Sequence, residues 1–230
     1  FEQAESLLNR YVNGEPLPYV LGHWVFYGLD LVVTPAVLIP RPETELLVET
    51  ALDWLHAHPA QRKLADVGTG SGCVAAALAI HISDLEVTAL DVSGAALEVA
   101  QTNVRRLGLE NRVTLVESNL LERLPEKVDV VCANLPYIPS QWLHELTVAR
   151  QEPLVALDGG ADGLYLIERL LADLAERGLC RSLVLLEIEY RQGRAVEQLA
   201  RQYFPSATVN VRQDLAGLDR LLVMEVNHGD

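Results

Sequence analysis

From Lys63 onward, short apolar runs alternate with stretches whose apolar residues recur at helical spacing, and this alternation restricts the fold more than any other feature of the chain. Strands are expected at 64–67, 86–90, 113–116, 128–133 and 183–188, with helices at 72–81, 95–107, 163–177 and 193–203. Repeated strand–helix–strand units close as a parallel sheet with helices on both faces. Two further strands, 207–212 and 220–226, follow one another with no helix between them, so an antiparallel hairpin is expected at the sheet edge. The expected architecture is α/β, with a mostly parallel seven-stranded sheet.

The residues ahead of this alternation read differently. Residues 1–13 carry an amphipathic helical pattern, 14–18 break it, and 23–27 with 31–34 flank Gly28-Leu29-Asp30 as a β-hairpin. Pro35, Pro40 and Pro42 mark a stiff linker, and Leu47, Val48, Ala51, Leu52 and Leu55 then give 44–56 a helical stripe. Because Phe1 falls inside a helix already under way, the natural start is expected to lie upstream. The expected division is an appendage over 1–40 and an α/β domain over 41–230.

Asp66-Val67-Gly68-Thr69-Gly70-Ser71-Gly72 lies where the first strand of the sheet turns into its first helix. Glycines at alternate positions let the backbone pass close to a nucleotide-like cofactor; the plainer reading is a tight turn. Asp91 ends the second strand, where a carboxylate accepts hydrogen bonds from both ribose hydroxyls. Gly70-Ser71-Gly72-Cys73-Val74-Ala75 also fits the dinucleotide pattern, so an NAD-dependent oxidoreductase is a competing class on this loop alone. Asp66 leading into the loop, together with the chemistry after the fourth strand, selects the adenosyl sulfonium donor instead. The loop with its preceding acid resembles the first signature of class I methyltransferases.

That chemistry is Asn134-Leu135-Pro136-Tyr137, at the carboxyl edge of the sheet where open α/β folds bind ligands. An amide nitrogen is a poor nucleophile, since its lone pair is delocalised into the carbonyl. Two acceptors, the Asn134 side-chain oxygen and the Leu135 main-chain oxygen, can each take one N–H of an NH2 group and aim the lone pair at a methyl carbon. Both strengthen as charge develops on nitrogen. Pro136 stiffens the turn, and Tyr137 offers a ring face to a planar group. Alignment supplies most of the acceleration, and no strong base is required beforehand. Asn and Pro also shape ordinary turns, which is the structural reading of the same four residues.

Composition narrows the partner. Eighteen basic against thirty-two acidic residues give a formal charge of -14, which argues against direct nucleic-acid binding. No apolar run approaches the roughly 18 to 20 residues that cross a bilayer, and no signal pattern opens the chain, so a cytoplasmic protein with no membrane partner is expected. Cys73, Cys132 and Cys180 are widely spaced in apolar stretches and read as buried free thiols, and the six histidines show no metal or triad spacing, so no metal is expected.

Over almost its whole length the chain resembles the release-factor glutamine methyltransferases, the protein-(glutamine-N5) methyltransferases. The resemblance rests on residues 14–22 (GEPLPYVLG), 38–45 (LIPRPETE) and 152–164 (EPLVALDGGADGL), in the family's order around the glycine loop and the tetrapeptide. It implies a class I, Rossmann-like fold and S-adenosylmethionine as methyl donor, leaving as S-adenosylhomocysteine. Gly68, Thr69, Gly70, Ser71, Gly72 and Asp91 would hold the donor, with Asn119 and Leu120 beside its adenine and Asn134 at its methyl end. Asn134, Leu135, Pro136 and Tyr137 would take the glutamine of a Gly-Gly-Gln loop in a peptide chain release factor, with Asn134, Pro136 and Tyr137 as the catalytic set. Residues 1–13 would be the last helix of the family's N-terminal helical domain. This chain has Leu135 where the family usually has proline, Asn119 where aspartate is usual and Leu120 where an aromatic is common.

Asn-Leu-Pro-Tyr also resembles the signature of ribosomal RNA adenine-N6 dimethyltransferases, so an adenine-N6 methyltransferase acting on RNA or DNA is the alternative acceptor class. A non-catalytic module that keeps the fold is a third reading. Arg41 and Glu43 serve equally as a structural cap and salt bridge or as contacts to cofactor or substrate. Glu187 and Glu189 read as a solvated strand end, with contact of one of them to the pocket as the alternative, and Trp24, Trp54 and Trp142 read as packing residues.

Overall fold

The computed structural model describes residues 2–226, so Phe1, where the N-terminal helix was expected to begin, lies outside them. Helix α1 (Glu2–Val12) is followed by a short helix α2 (Leu17–Leu21), strands β1 (His23–Phe26) and β2 (Leu29–Val32), and a 3-10 turn (Pro42–Thr44) that runs into α3 (Glu45–Ala57). Then come β3 (Lys63–Val67), α4 (Cys73–His81), β4 (Glu86–Asp91), α5 (Gly94–Arg106), β5 (Val113–Glu117) and β6 (Val128–Ala133). Three 3-10 turns (Ser140–Glu145, Thr147–Arg150, Leu154–Ala156) precede α6 (Tyr165–Arg177), β7 (Cys180–Glu187), α7 (Gly193–Tyr203), β8 (Thr208–Gln213) and β9 (Asp219–Glu225).

The expected sheet is present: seven strands in the order β5-β4-β3-β6-β7-β9-β8, parallel from β5 to β7 and antiparallel in the closing pair. From β3 the chain builds outward through β4 and β5, then returns to lay β6 on the other side of β3. The connections after β3 and β6 therefore diverge, and a crevice opens between them at the carboxyl edge. Alternation along each strand divides the core. Leu64, Val130, Cys132 and Leu185 face α3 and α4, while Ala65, Val67, Val131 and Ala133 face the side covered by α6 and α7. All six residues of β6 are buried, as a central strand requires.

Differences from the sequence reading have local causes. Residues 17–21 are helical although 17 and 18 end the stretch read as a break, because Pro16 sits at the N-cap and Pro18 in the first turn, where an absent N–H costs nothing. The hairpin turns at Tyr27-Gly28 rather than 28–30: both have positive φ (47° and 75°), the two-residue geometry that matches strand twist, and Tyr27 N–H is held by Glu45 Oε1 at 2.9 Å. Helix α6 starts at Tyr165, not 163, since Gly163 is tied by its carbonyl to Gln192 Nε2 at 3.2 Å. Trp142 is 40% exposed, with the Arg191 guanidinium 5.0 Å over its ring, so it is not a packing residue. Cys132 and Cys180 are buried as expected; Cys73 is only partly so.

The hairpin is joined to the sheet domain by Asn103, itself 1% exposed. Its Oδ1 accepts Val32 N–H at 2.7 Å, and its Nδ2 donates to Val32 O at 3.0 Å and Ser71 O at 2.9 Å.

Candidate active site

The loop after β3 is wound by three glycines of positive φ, Gly68, Gly70 and Gly72. The backbone N–H groups of Gly68 and Thr69 both donate to Leu90 O, at 2.8 and 2.9 Å, which ties the loop to β4. Asp66 fixes it from beneath: Oδ2 accepts the Thr69 hydroxyl at 2.6 Å and Ala75 N–H at 3.2 Å. Burial pushes the Asp66 carboxyl up to about 6, against those two hydrogen bonds and with a smaller push from Asp91. Asp91 accepts Gly70 N–H on Oδ2 at 2.8 Å and Ser93 N–H on Oδ1 at 2.9 Å. Burial raises it as well, and the backbone N–H groups of Ser93, Gly70 and Val92 hold it back. Each oxygen keeps a lone pair for a ligand hydroxyl.

These elements wall a cavity of about 560 Å³. Of the residues expected at the site, Gly68, Thr69, Gly70, Ser71, Asp91, Asn119, Leu120, Asn134, Leu135 and Pro136 line it. Gly72 and Tyr137 do not. A Cβ on Gly72 would stand 3.3 Å from Ala100 Cβ, so this glycine allows close approach of helix α5 rather than of a ligand. Leu120 holds φ at 51°, costly for a residue with a Cβ. It is fixed there by the Ser118 hydroxyl, which donates to Leu120 O at 3.0 Å and accepts Arg123 N–H at 3.0 Å. Asn119 spends its NH2 on Glu122 Oε1 at 2.6 Å.

Sequence reasoning missed several walls. Val37, Leu38 and Pro40 of the linker close one side, and Val92, 54% exposed, presents an apolar side chain next to Asp91. The linker is held by Glu152, 8% exposed, which ion-pairs with Arg41 and accepts Ile39 N–H at 3.0 Å. Arg41 also lines the cavity; Glu43 does not.

The turn 134–137 is fixed from two directions. On one side Asn134 Nδ2 donates to Thr44 Oγ1 at 3.0 Å, which leaves the side-chain oxygen as the free end of that amide. On the other the turn rests on glycines: a Cβ on Gly159 would meet Pro136 O at 2.8 Å, and one on Gly163 would meet Gln192 Nε2 at 2.8 Å and collide with Tyr137 O. Gln192 Nε2 donates to Tyr137 O at 3.2 Å, and Gly159 N–H to Ile138 O at 2.9 Å. The segment 158–163 is thus a buttress under the tetrapeptide. Leu135 points back into the cleft, its Cδ2 3.1 Å from the place a Gly68 Cβ would occupy.

Glu187 corrects the reading of a solvated strand end. It is 2% exposed, it follows Leu186, which pairs with Ala133, and so stands beside Asn134 at the sheet edge, and Oε2 has no partner among the described residues. Its neighbour Glu189 is the solvent-facing acid, bonded to Arg191. Strand order explains the burial: β7 is central, between β6 and β9, so its carboxyl end is covered.

A sequence model of the family "Methyltransferase small domain" matches residues 42–151. A release factor glutamine methyltransferase of Moorella thermoacetica is 46% identical over 217 residues, 93% of this chain and 76% of that one. The Bacillus subtilis protein of the same name is 36% identical over 218 residues, 91% of this chain and 75% of its own length. Among solved structures, the protein-(glutamine-N5) methyltransferase (release factor-specific) of Alicyclobacillus acidocaldarius superposes with a TM-score of 0.51 at 30% identity, covering 84% of this chain and 97% of that one. The human METTL16 catalytic domain, solved with a MAT2A 3'UTR hairpin, gives a TM-score of 0.72 at 16% identity, over 92% of this chain and 82% of that one, which is a likeness of fold.

Proposed function

The chain belongs to the release factor glutamine methyltransferases, and from that membership we propose that it methylates the side-chain amide nitrogen of the glutamine in the Gly-Gly-Gln loop of a peptide chain release factor. S-adenosylmethionine, when bound, supplies an electrophilic methyl group and leaves as S-adenosylhomocysteine. The residues present suit it. Asp91 has lone pairs free for ribose hydroxyls, Val92 and Leu120 offer apolar flanks for a base, and the buried hydroxyl of Ser71 has no partner among the described residues.

The observation that carries the reading is the Asn134 amide, whose NH2 is committed to Thr44. Its oxygen and the Leu135 carbonyl are then two acceptors for one NH2 group. They draw the acceptor's lone pair out of conjugation and stabilise the cation that forms as the N–C bond is made. Leu135 in place of proline keeps the carbonyl this requires. Tyr137, off the cavity wall, has its carbonyl pinned by Gln192, and its ring serves as a flank for the glutamine rather than a floor for the donor. Residues 1–40 serve as the appendage that meets the release factor and 41–230 as the methyltransferase unit. No helix among the described residues is long and apolar enough to cross a membrane, which suits work beside the translation machinery in the cytoplasm.

The test is incubation with labelled S-adenosylmethionine and a release factor, with ribosomal RNA as competitor, and mass-spectrometric mapping of the product. Label on the loop glutamine supports the proposal. Label on adenine of the RNA would favour the alternative acceptor instead.

A further inference from the structure

We propose that Glu187 and Thr44 are positioning residues that fix which way the Asn134 amide faces, so that its oxygen, and not its NH2, meets the acceptor. The inference deepens, and rests on, the role given to residues 134–137 above.

The two ends of a primary amide are nearly the same shape, and only hydrogen-bond partners decide which end points where. Thr44 Oγ1 accepts from Asn134 Nδ2 at 3.0 Å, and a hydroxyl that accepts must send its own hydrogen elsewhere. Thr44 is 2% exposed, so bulk water does not take it. The acceptor at hand is the Glu187 carboxyl, buried one residue past the Leu186–Ala133 pair with Oε2 unpartnered among the described residues, and Thr44 and Asn134 both oppose the rise of its pKa. An ionised carboxylate is acceptor-only. Placed at the end of the chain it sets the direction of every bond in it, from Asn134 to Thr44 to Glu187.

A protonated Glu187 removes that constraint. Its O–H can donate to Thr44, the Thr44 hydrogen can turn to Asn134, and the amide then satisfies Thr44 with its oxygen and turns NH2 toward the acceptor. Two NH2 groups facing each other cannot pair. Burial pushes the carboxyl up to about 7, opposed by the hydrogen bonds from Thr44 and Asn134 and by Arg220 of β9, and reinforced by Glu43 of the turn before α3. The phenol of Tyr137 and the thiol of Cys73 also face its charge. Arg220 is itself tied to Asp214 at 3.2 Å. The working orientation is thus present above about pH 7 and lost as pH falls through it.

The experiment compares the intact chain with Glu187→Gln, Thr44→Val and Thr44→Ser by two readouts. In turnover of a release factor, Glu187→Gln and Thr44→Val should lower kcat by about a hundredfold, the scale of a misaligned reacting group. The KM for S-adenosylmethionine should change little, the acid limb of the pH profile should disappear in Glu187→Gln, and Thr44→Ser should recover most of the loss. Independently of any substrate, the Asn134 side-chain amide resonances, assigned by their loss in Asn134→Ala, should shift with pH across the neutral range in the natural chain and stay still in Glu187→Gln. Amide resonances that do not titrate, or an unchanged kcat and acid limb in Glu187→Gln, overturn the proposal. Titrating resonances in a chain that leaves the release factor unmethylated uphold the orientation and instead sink the acceptor reading. If Glu187→Gln does not fold, the Thr44→Val and Thr44→Ser pair decides by the same split between kcat and KM.

Discussion

Gly159 packs so closely beneath Tyr137 that a Cβ on it would stand 2.7 Å from Tyr137 Cα. The obstacle is backbone on both sides, with Gly163 Cα at 2.8 Å, so no side chain can swing away to make room. Gly159→Ala must therefore lift the 136–137 backbone by several tenths of an ångström or more. A displacement of that kind at a reacting group costs about a hundredfold in rate. The expected outcome is a kcat loss of that order with the dissociation constant for S-adenosylmethionine little changed, measured by steady-state kinetics and titration calorimetry.

Asp91 predicts the reverse pattern. Its two oxygens hold Gly70 and Ser93 N–H groups and face the cavity. Asp91→Ala removes charge-assisted bonds worth about 1.5–3 kcal/mol each to a ligand hydroxyl. S-adenosylmethionine affinity should fall by about tenfold to a hundredfold per bond lost, seen by calorimetry; unchanged affinity would contradict the ribose role.

Asp66 makes a pH prediction. Its carboxyl keeps its proton up to about 6 in the fold, against an ordinary 3.8. Between those values the native state binds a proton that the unfolded chain has already released, so this group's contribution is greatest below 3.8, falls as pH rises to about 6 and is then level. Asp66→Asn can still accept from Thr69 and Ala75 and does not titrate. In urea unfolding its stability relative to the natural chain should improve steadily across that interval. A difference that stays flat with pH would show that Asp66 is not shifted.

Asn103→Ala should uncouple the hairpin. It strands the N–H and carbonyl of Val32 and the carbonyl of Ser71. Each unsatisfied buried group costs about 1–3 kcal/mol. Reduced thermal stability should accompany faster hydrogen exchange at Val32, and weaker cofactor binding should follow from the loosened Ser71.

Most of the architecture is legible in sequence because it is local. The β6 run is continuously apolar since both its faces are covered, and the glycine loop and Asp91 stand at strand ends whose order the alternation already gives. What escaped is pairing at a distance. Thr44 and Asn134 lie ninety positions apart, and nothing in the sequence near 44 indicates a partner at 134. Glu187 was misread because a carboxylate beside another, Glu189, looks like a polar strand terminus; only the strand order shows that one of them is covered. The short helix at 17–21 was hidden by prolines that mark a break inside a helix and a beginning at its first turn.

Strands β3 and β6 lie side by side with Val67 opposite Ala133, so Gly68 and Asn134 leave the sheet from the same rung of the ladder. On the roles proposed for these two turns, the gap between the group that gives and the group that receives is gauged by interstrand spacing, about 4.8 Å, a property of main-chain hydrogen bonding. Loop substitutions can retune what is bound on either side, but the separation itself belongs to the scaffold and should survive them.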